Sequence, residues 1–178
     1  LDASDRKVLG SSMPTWYGGW NNTVSYKNFD LNVFFRFSGG NKIMNASRQS
    51  ALFNMDFSNN GTEILGRWIS PEQPGDGMTP KIGYGDASSL FNDGYTDSHF
   101  VESGNYLKLS TLALGYTLPK AVVSKLNMTK IRFYVQGQNL LTITGYSGLD
   151  PETNSRLGVD WNGMPQQRSF TFGANITF

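Results

Sequence analysis

The chain has 178 residues, enough for one ordinary domain, and its 15 Lys plus Arg against 14 Asp plus Glu leave a formal charge of +1 with no basic cluster, which excludes a nucleic-acid footprint. Cysteine is absent, which removes disulfide frameworks, thiolate metal sites and cysteine nucleophiles together. Mean hydropathy is −0.37 and no apolar run nears the roughly 20 residues of a spanning helix, a result that leaves membrane β-barrels open because half of every barrel strand is polar.

Aromatics at 13%, 20 glycines and a charged fraction of 16% favour β structure with many turns. Leu1 to Lys7 has neither the basic start nor the apolar stretch of a secretory leader, so an exported protein with this sequence is expected to begin upstream. Residues 1–17 read as loop. A first strand is expected over 19–27, with Trp20, Val24 and Tyr26 on one face, Asn22 as a polar exception, and Asn21, Thr23, Ser25 and Lys27 on the other. A tight turn at Asn28 leads to a second strand over 29–39. There Leu31, Val33, Phe35 and Phe37 alternate with Asn32, Phe34, Arg36 and Ser38, until Gly39-Gly40 stops it.

From 41 to 99 the period of two is lost. Ile43, Met44, Ala51, Leu52 and Met55 suit one side of a short helix, residues 71–77 are irregular, and the whole stretch reads as a long external loop. A third strand is expected over 104–118. Leu112, Leu114, Tyr116 and Leu118 oppose Thr111, Ala113, Gly115 and Thr117, while Leu107 and Leu109 fall in the other phase, which a bulge near Ser110 reconciles. After Pro119, a short connection over 120–128 precedes a fourth strand over 129–139, with Ile131, Phe133 and Val135 against Arg132, Tyr134, Gln136 and Gln138. A second long loop follows over 140–165. The last strand, over 167–178, sets Phe170, Phe172, Ala174, Ile176 and Phe178 against Ser169, Thr171, Gly173, Asn175 and Thr177.

If neighbours pair antiparallel, short connections gather at one end and long ones at the other, the arrangement of an outer-membrane barrel with short periplasmic turns and long extracellular loops. The expected fold is therefore all-β, an antiparallel transmembrane β-barrel segment with long extracellular loops over 1–17, 41–99 and 140–165. Aromatic girdles fit this, with Tyr26, Phe29, Tyr116 and Phe178 at the periplasmic interface and Trp16, Tyr17, Trp20 and Phe37 at the outer one. Five strands do not close a barrel, so the chain is expected to be a piece of a larger wall. The competing reading is a soluble β-sandwich carbohydrate-binding module that uses its loop tryptophans.

Catalysis has little support. His99 is the sole histidine and lacks a partner at ligand or triad spacing. Asp86, Asp93 and Asp97, and likewise Asp150, Glu152, Asn154 and Asp160, place oxygen ligands that suit calcium, yet neither group has the EF-hand spacing; both read as solvated loop, and no metal or cofactor is expected. Trp68, Tyr95, Tyr146 and Trp161 are candidates to contact a ligand or a lid. Arg36, Arg132 and Gln136 are expected to point into a lumen because their strand neighbours face lipid.

Ordered motifs run from about Leu9 to the end: Gly10-Ser11-Ser12-Met13-Pro14-Thr15-Trp16-Tyr17-Gly18-Gly19-Trp20, Tyr26-Lys27-Asn28-Phe29-Asp30-Leu31, Gly40-Asn41-Lys42-Ile43-Met44-Asn45, Tyr106 to Pro119, Gly137-Gln138-Asn139-Leu140-Leu141-Thr142 and Tyr146-Ser147-Gly148-Leu149-Asp150-Pro151-Glu152. Together with the terminal Phe178 they resemble the late part of SusC/RagA-type TonB-dependent transporters of Bacteroidetes outer membranes. The resemblance implies a barrel of about 22 strands plugged by an amino-terminal domain. It also implies a SusD-like lipoprotein lid, energy relayed by the TonB complex, and import of glycans, oligosaccharides or peptides without enzymatic activity. The plug and the TonB box are absent from these residues, so the remainder of the same transporter and outer-membrane lipid are expected partners. By the same resemblance, Phe170, Phe172, Ile176 and the terminal Phe178 form a barrel-assembly signal.

Overall fold

The computed structural model describes residues 3–52, 59–82, 98–153 and 158–178. It divides into two compact units, one of Pro14–Gly40, Gly104–Gly145 and Gln166–Phe178, the other of Leu1–Met13, Asn41–Ser103 and Tyr146–Pro165.

The first unit is a single five-stranded antiparallel sheet of β1 (Trp16–Tyr26), β2 (Phe29–Gly39), β5 (Tyr106–Thr117), β6 (Lys130–Thr144) and β8 (Ser169–Thr177), in the order β1-β2-β5-β6-β8. The register carries the alternation across every strand. Trp20 pairs with Phe35, Phe35 with Leu109 and Leu109 with Leu141; lower down, Val33 pairs with Leu112, Leu114 with Val135 and Val135 with Phe172. One face is consequently apolar across all five strands, with Asn22 of β1 as its polar exception. The opposite face gathers Asn21, Asn32, Arg36, Lys108, Gln136, Gln138 and Thr171. Side chains of the apolar face remain open among the described residues, Phe172 being 78% exposed.

Two strand boundaries differ from the sequence expectation, and the expected bulge is found. β1 begins at Trp16 rather than Gly19, because Trp16 and Gly18 continue the apolar parity and pair with Gly39 and Phe37. The bulge expected near Ser110 is present, since the β2–β5 register slips by one residue there. β6 does not stop at Asn139; a second irregularity, with Asn139 at φ 52°, resets the phase, so Leu141 and Ile143 continue the apolar face to Thr144. Lys27-Asn28 joins β1 to β2 and Leu118 to Thr129 joins β5 to β6, with α2 (Lys120–Val123) inside the latter. Both long excursions leave from the other end.

The second unit is folded rather than irregular. β3 (Lys42–Asn45) pairs antiparallel with β4 (Val101–Ser103) and parallel with β7 (Val159–Asp160), which joins the two stretches expected to be separate external loops. Their lost period of two has a simple cause: the strands are too short to show one. The short helix is α1 (Ala46–Leu52), capped by the Asn45 carboxamide oxygen, which accepts from the Arg48 amide at 2.9 Å. Ile43 and Met44 belong to β3 instead of the helix, and Met55 lies outside the described residues. Phe100 is fully buried against Met44, Ile64 and Ile82.

Candidate functional site

The polar face of the sheet is built from short polar side chains with a few charged ones tied down. Arg36, Arg132 and Gln136 all sit on it, as the alternation predicts. Arg36 donates from Nε to Ser110 Oγ at 2.8 Å and from Nη2 to Gln166 Oε1 at 3.4 Å. The extra residue of the bulge is thus the one that orients this arginine. Directly opposite Arg36 stands Lys108, 1% exposed, its ammonium 5.9 Å from the Tyr106 ring centroid. Sequence reasoning passed over Lys108, although its parity becomes readable once the phase is corrected at Ser110.

Near the turn end Arg132 makes a bidentate pair with Asp30, with Nε to Oδ1 at 2.9 Å. Asp30 and Arg132 belong to strands that flank β5, and their side chains meet over Gly115, where a Cβ would intrude on both. The Tyr134 ring similarly lies over Gly173 on β8. Gln136, one step further along, pairs in register with Ala113 and Thr171.

In the folded excursion unit a polar node holds the pieces together. Arg48 donates to both Glu63 oxygens at 2.9–3.0 Å, to the His99 carbonyl at 3.3 Å and to Glu102 at 3.4 Å. Glu102 also accepts from the Ser147 amide and hydroxyl, both at 2.7 Å, and from Asn45 at 3.3 Å. His99 lies 3.4 Å from Arg48 and edge-on to Phe100.

The four aromatic candidates separate. Trp161 is 71% exposed and Trp68 is exposed on a hairpin, with the Lys81 ammonium 5.8 Å from its ring centroid. That hairpin is closed by the Trp68 amide to the Thr79 carbonyl at 2.9 Å and by Asp76, which accepts from the Met78 and Thr79 amides and the Thr79 hydroxyl. These three hydrogen bonds hold the Asp76 carboxyl below the usual carboxylate range. Tyr146 is a correction: it is 5% exposed and its hydroxyl donates to Asp160 at 2.6 Å, so it packs its own unit instead of presenting a face. Burial first, then the bond to Asp160 and the charges of Asp160 and Glu102, push its phenol far above the ordinary range. Tyr95 lies outside the described residues.

The acidic groups change as well. Asp150 and Asp160 are buried, not solvated. Asp150 accepts from the Glu152 amide at 3.0 Å and Asp160 from Tyr146 and the Gly163 amide at 3.2 Å, so their oxygens serve the local fold. Among the described residues no group of three or more His, Asp or Glu is placed to hold a metal ion, and Asp86, Asp93, Asp97 and Asn154 lie outside them.

Phe170, Phe172 and Ile176 stand on the apolar face of β8 and are exposed, and Phe178 follows in the same parity, also exposed. β1 and β8 each have one neighbour, so each leaves an edge open for further strands. Strands of 9 to 15 residues are long enough to cross a bilayer when tilted.

No family model matches the chain. Among curated proteins it is 32% identical over 188 residues to TonB-dependent receptor P3 of Formosa agariphila, which covers all of this chain and 18% of the relative. It is 31% identical to TonB-dependent receptor P26 of the same organism, and 25% identical over its full length to TonB-dependent receptor SusC of Bacteroides thetaiotaomicron, covering 18% and 16% of those proteins. Among solved structures it superposes on the RagAB peptide transporter with a TM-score of 0.85 at 26% identity, covering all of this chain and 19% of that one. The open-open state of the RagAB peptide importer gives 0.79 over 97% of this chain. The chain thus spans less than a fifth of the length of these proteins. A sheet apolar on one face and polar on the other, with open edges and its long connections leaving from one end only, fits a cut from such a barrel. The chain matches, over its whole length, a carboxyl-terminal segment of the transmembrane β-barrel of SusC/RagA-type TonB-dependent receptors.

Proposed function

We propose that the intact protein carries out TonB-dependent import of nutrients, glycans, oligosaccharides or peptides, across the outer membrane of a Gram-negative bacterium, with a SusD-like lipoprotein as lid. In this reading the five strands are wall and the excursion unit is part of the lid-facing extracellular surface, and neither performs chemistry on the cargo. The observation that carries it is the division of the sheet into a face that is apolar but for Asn22 and a polar face that holds Arg36, Lys108, Gln136, Asp30 and Arg132. The polar face then lines the lumen, where Arg36 and Gln136 meet substrate or plug. Trp161 and Trp68, the outward aromatics of the excursions, contact cargo or lid, since flat apolar rings suit both sugar faces and protein partners.

The likeness to SusC and to the RagAB transporter supports the coupling to TonB and the lid partner, and both remain properties of the whole assembly. The test uses the full-length transporter in its native host. Affinity purification from detergent-solubilised outer membranes is expected to recover a surface lipoprotein, and uptake of a labelled oligosaccharide or peptide pool is expected to require both the transporter and TonB. Uptake that persists in the transporter deletant with the pool tested, together with no lipoprotein partner, would overturn the reading.

A further inference from the structure

The turn end of the sheet is strongly cationic, a feature unused by the transport reading. Lys27 occupies the β1–β2 turn, and Lys120 and Lys125 lie on the β5–β6 connection, all three exposed. Lys130 begins β6 on the polar-face parity. The only carboxylate side chain in residues 24–32, 112–134 and 170–178 is Asp30, which Arg132 already engages. No ion pair among the described residues includes Lys27, Lys120 or Lys125.

The neighbours of these lysines are apolar and exposed. The Lys27 ammonium sits 5.3 Å from the centroid of the Tyr26 ring, and Tyr26 belongs to the apolar face. Tyr26 and Phe29 are both exposed, and Phe29 packs on Tyr116 at 4.6 Å between centroids. On the β5–β6 connection Val122 and Leu126 are exposed between and beside Lys120 and Lys125, whereas Val123 is buried and anchors the turn. A ligand for this surface has to offer anions beside hydrocarbon. A soluble anion satisfies the lysines and leaves Val122 and Leu126 in water. A membrane interface satisfies both, because a lysine stem lies along apolar surface while its ammonium reaches the headgroups.

We infer that Lys27, Lys120 and Lys125 form a docking surface for anionic phospholipid headgroups of the leaflet at the short-turn end, continuous with the lipid-facing side chains. The inference rests on the barrel placement and not on the identity of the cargo. Attraction of this kind fades within about 8 Å at physiological salt, so it selects lipids in contact with this margin and not the bulk leaflet.

The test places a fluorophore at Ser124→Cys, an exposed site on the same connection, in the full-length transporter with any other cysteine removed, reconstituted in phosphatidylcholine vesicles. Quenching by 5-doxyl phosphatidylglycerol is compared with quenching by 5-doxyl phosphatidylcholine at equal mole fraction. Phosphatidylglycerol is expected to quench at least twofold more efficiently, and 1 M salt to bring the ratio to one. The triple variant K27Q/K120Q/K125Q is expected to show a ratio of one, and K27R/K120R/K125R to retain the excess, provided heat-modifiable migration shows that each barrel is assembled. Should the glutamine variant fail to assemble, the salt dependence of the unmodified protein decides. Equal quenching by the two lipids, an excess that survives in the glutamine variant, an excess lost with K130Q alone, or one abolished by millimolar inorganic phosphate would each overturn the inference.

Discussion

Asp30 and Arg132 meet across an entire intervening strand, and they do so directly over Gly115, where a Cβ would intrude on both. The glycine is there for space, not for turn geometry. Gly115→Ala is expected to displace the pair and to cost about 1–3 kcal/mol, the range for breaking a partly buried charge network. Asp30→Asn should cost less in the Gly115→Ala background than alone, because the same interaction is already lost. Urea unfolding of the full-length barrel in detergent measures both, and strict additivity would count against the arrangement.

The two faces of β5 should respond oppositely to charge. Leu112→Arg puts a guanidinium on the lipid side near the middle of the strand, at a cost of about 2–4 kcal/mol. Ala113→Arg, one residue away on the polar face, should be tolerated in assembly. Heat-modifiable mobility of outer-membrane fractions separates the two, and equal defects would refute the assignment of faces.

Tyr146 and Asp160 make the excursion unit sensitive to alkali. The folded unit holds the phenol protonated above the ordinary value of 10.0, through burial first and Asp160 second. A group raised on folding contributes its stability fully below its unfolded value and loses it as pH rises beyond. Proteolysis of the unit in the full-length protein should therefore accelerate above about pH 10. Tyr146→Phe should flatten that dependence while costing about 1–3 kcal/mol at neutral pH, since buried Asp160 loses a donor.

Glu102 ties β4 to residue 147 and to Arg48. Glu102→Ala leaves the Ser147 amide and the Arg48 guanidinium each short of an acceptor. Protease cleavage within residues 41–103 is expected to rise several-fold, with the sheet unaffected. Arg48→Gln should mimic it, because Glu63 and Glu102 then lose their shared cation.

Removing Phe178 from the full-length protein tests the assembly role of the closing strand. It is expected to lower the amount of heat-modifiable barrel more than the ligand affinity of the barrel that does form. Normal levels of assembled barrel in the deletant would sink this expectation.

Period-two alternation is a local property, written residue by residue, so it survives in the sequence. Trp20 to Tyr26, Leu31 to Phe37 and Phe170 to Ile176 each announce a strand with one lipid-seeking face, and unequal connections imply which ends are periplasmic and extracellular. The phase break at Ser110 was readable for the same reason. The extension of β6 past Asn139 was not, because an asparagine suited to positive φ marks a turn that ends a strand as readily as a bulge that resets its parity.

What only the tertiary structure decided are the pairings between residues far apart in the chain. Arg132 finds Asp30 102 residues away, and Arg36 finds Ser110 at a separation of 74. Tyr146, polar-tipped and placed in a glycine-rich loop, read as a contact residue, yet burial against Asp160 made it part of the packing. Such outcomes depend on which short segments share one small core, and β3, β4 and β7, of two to four residues each, are too brief to carry a period that reveals it.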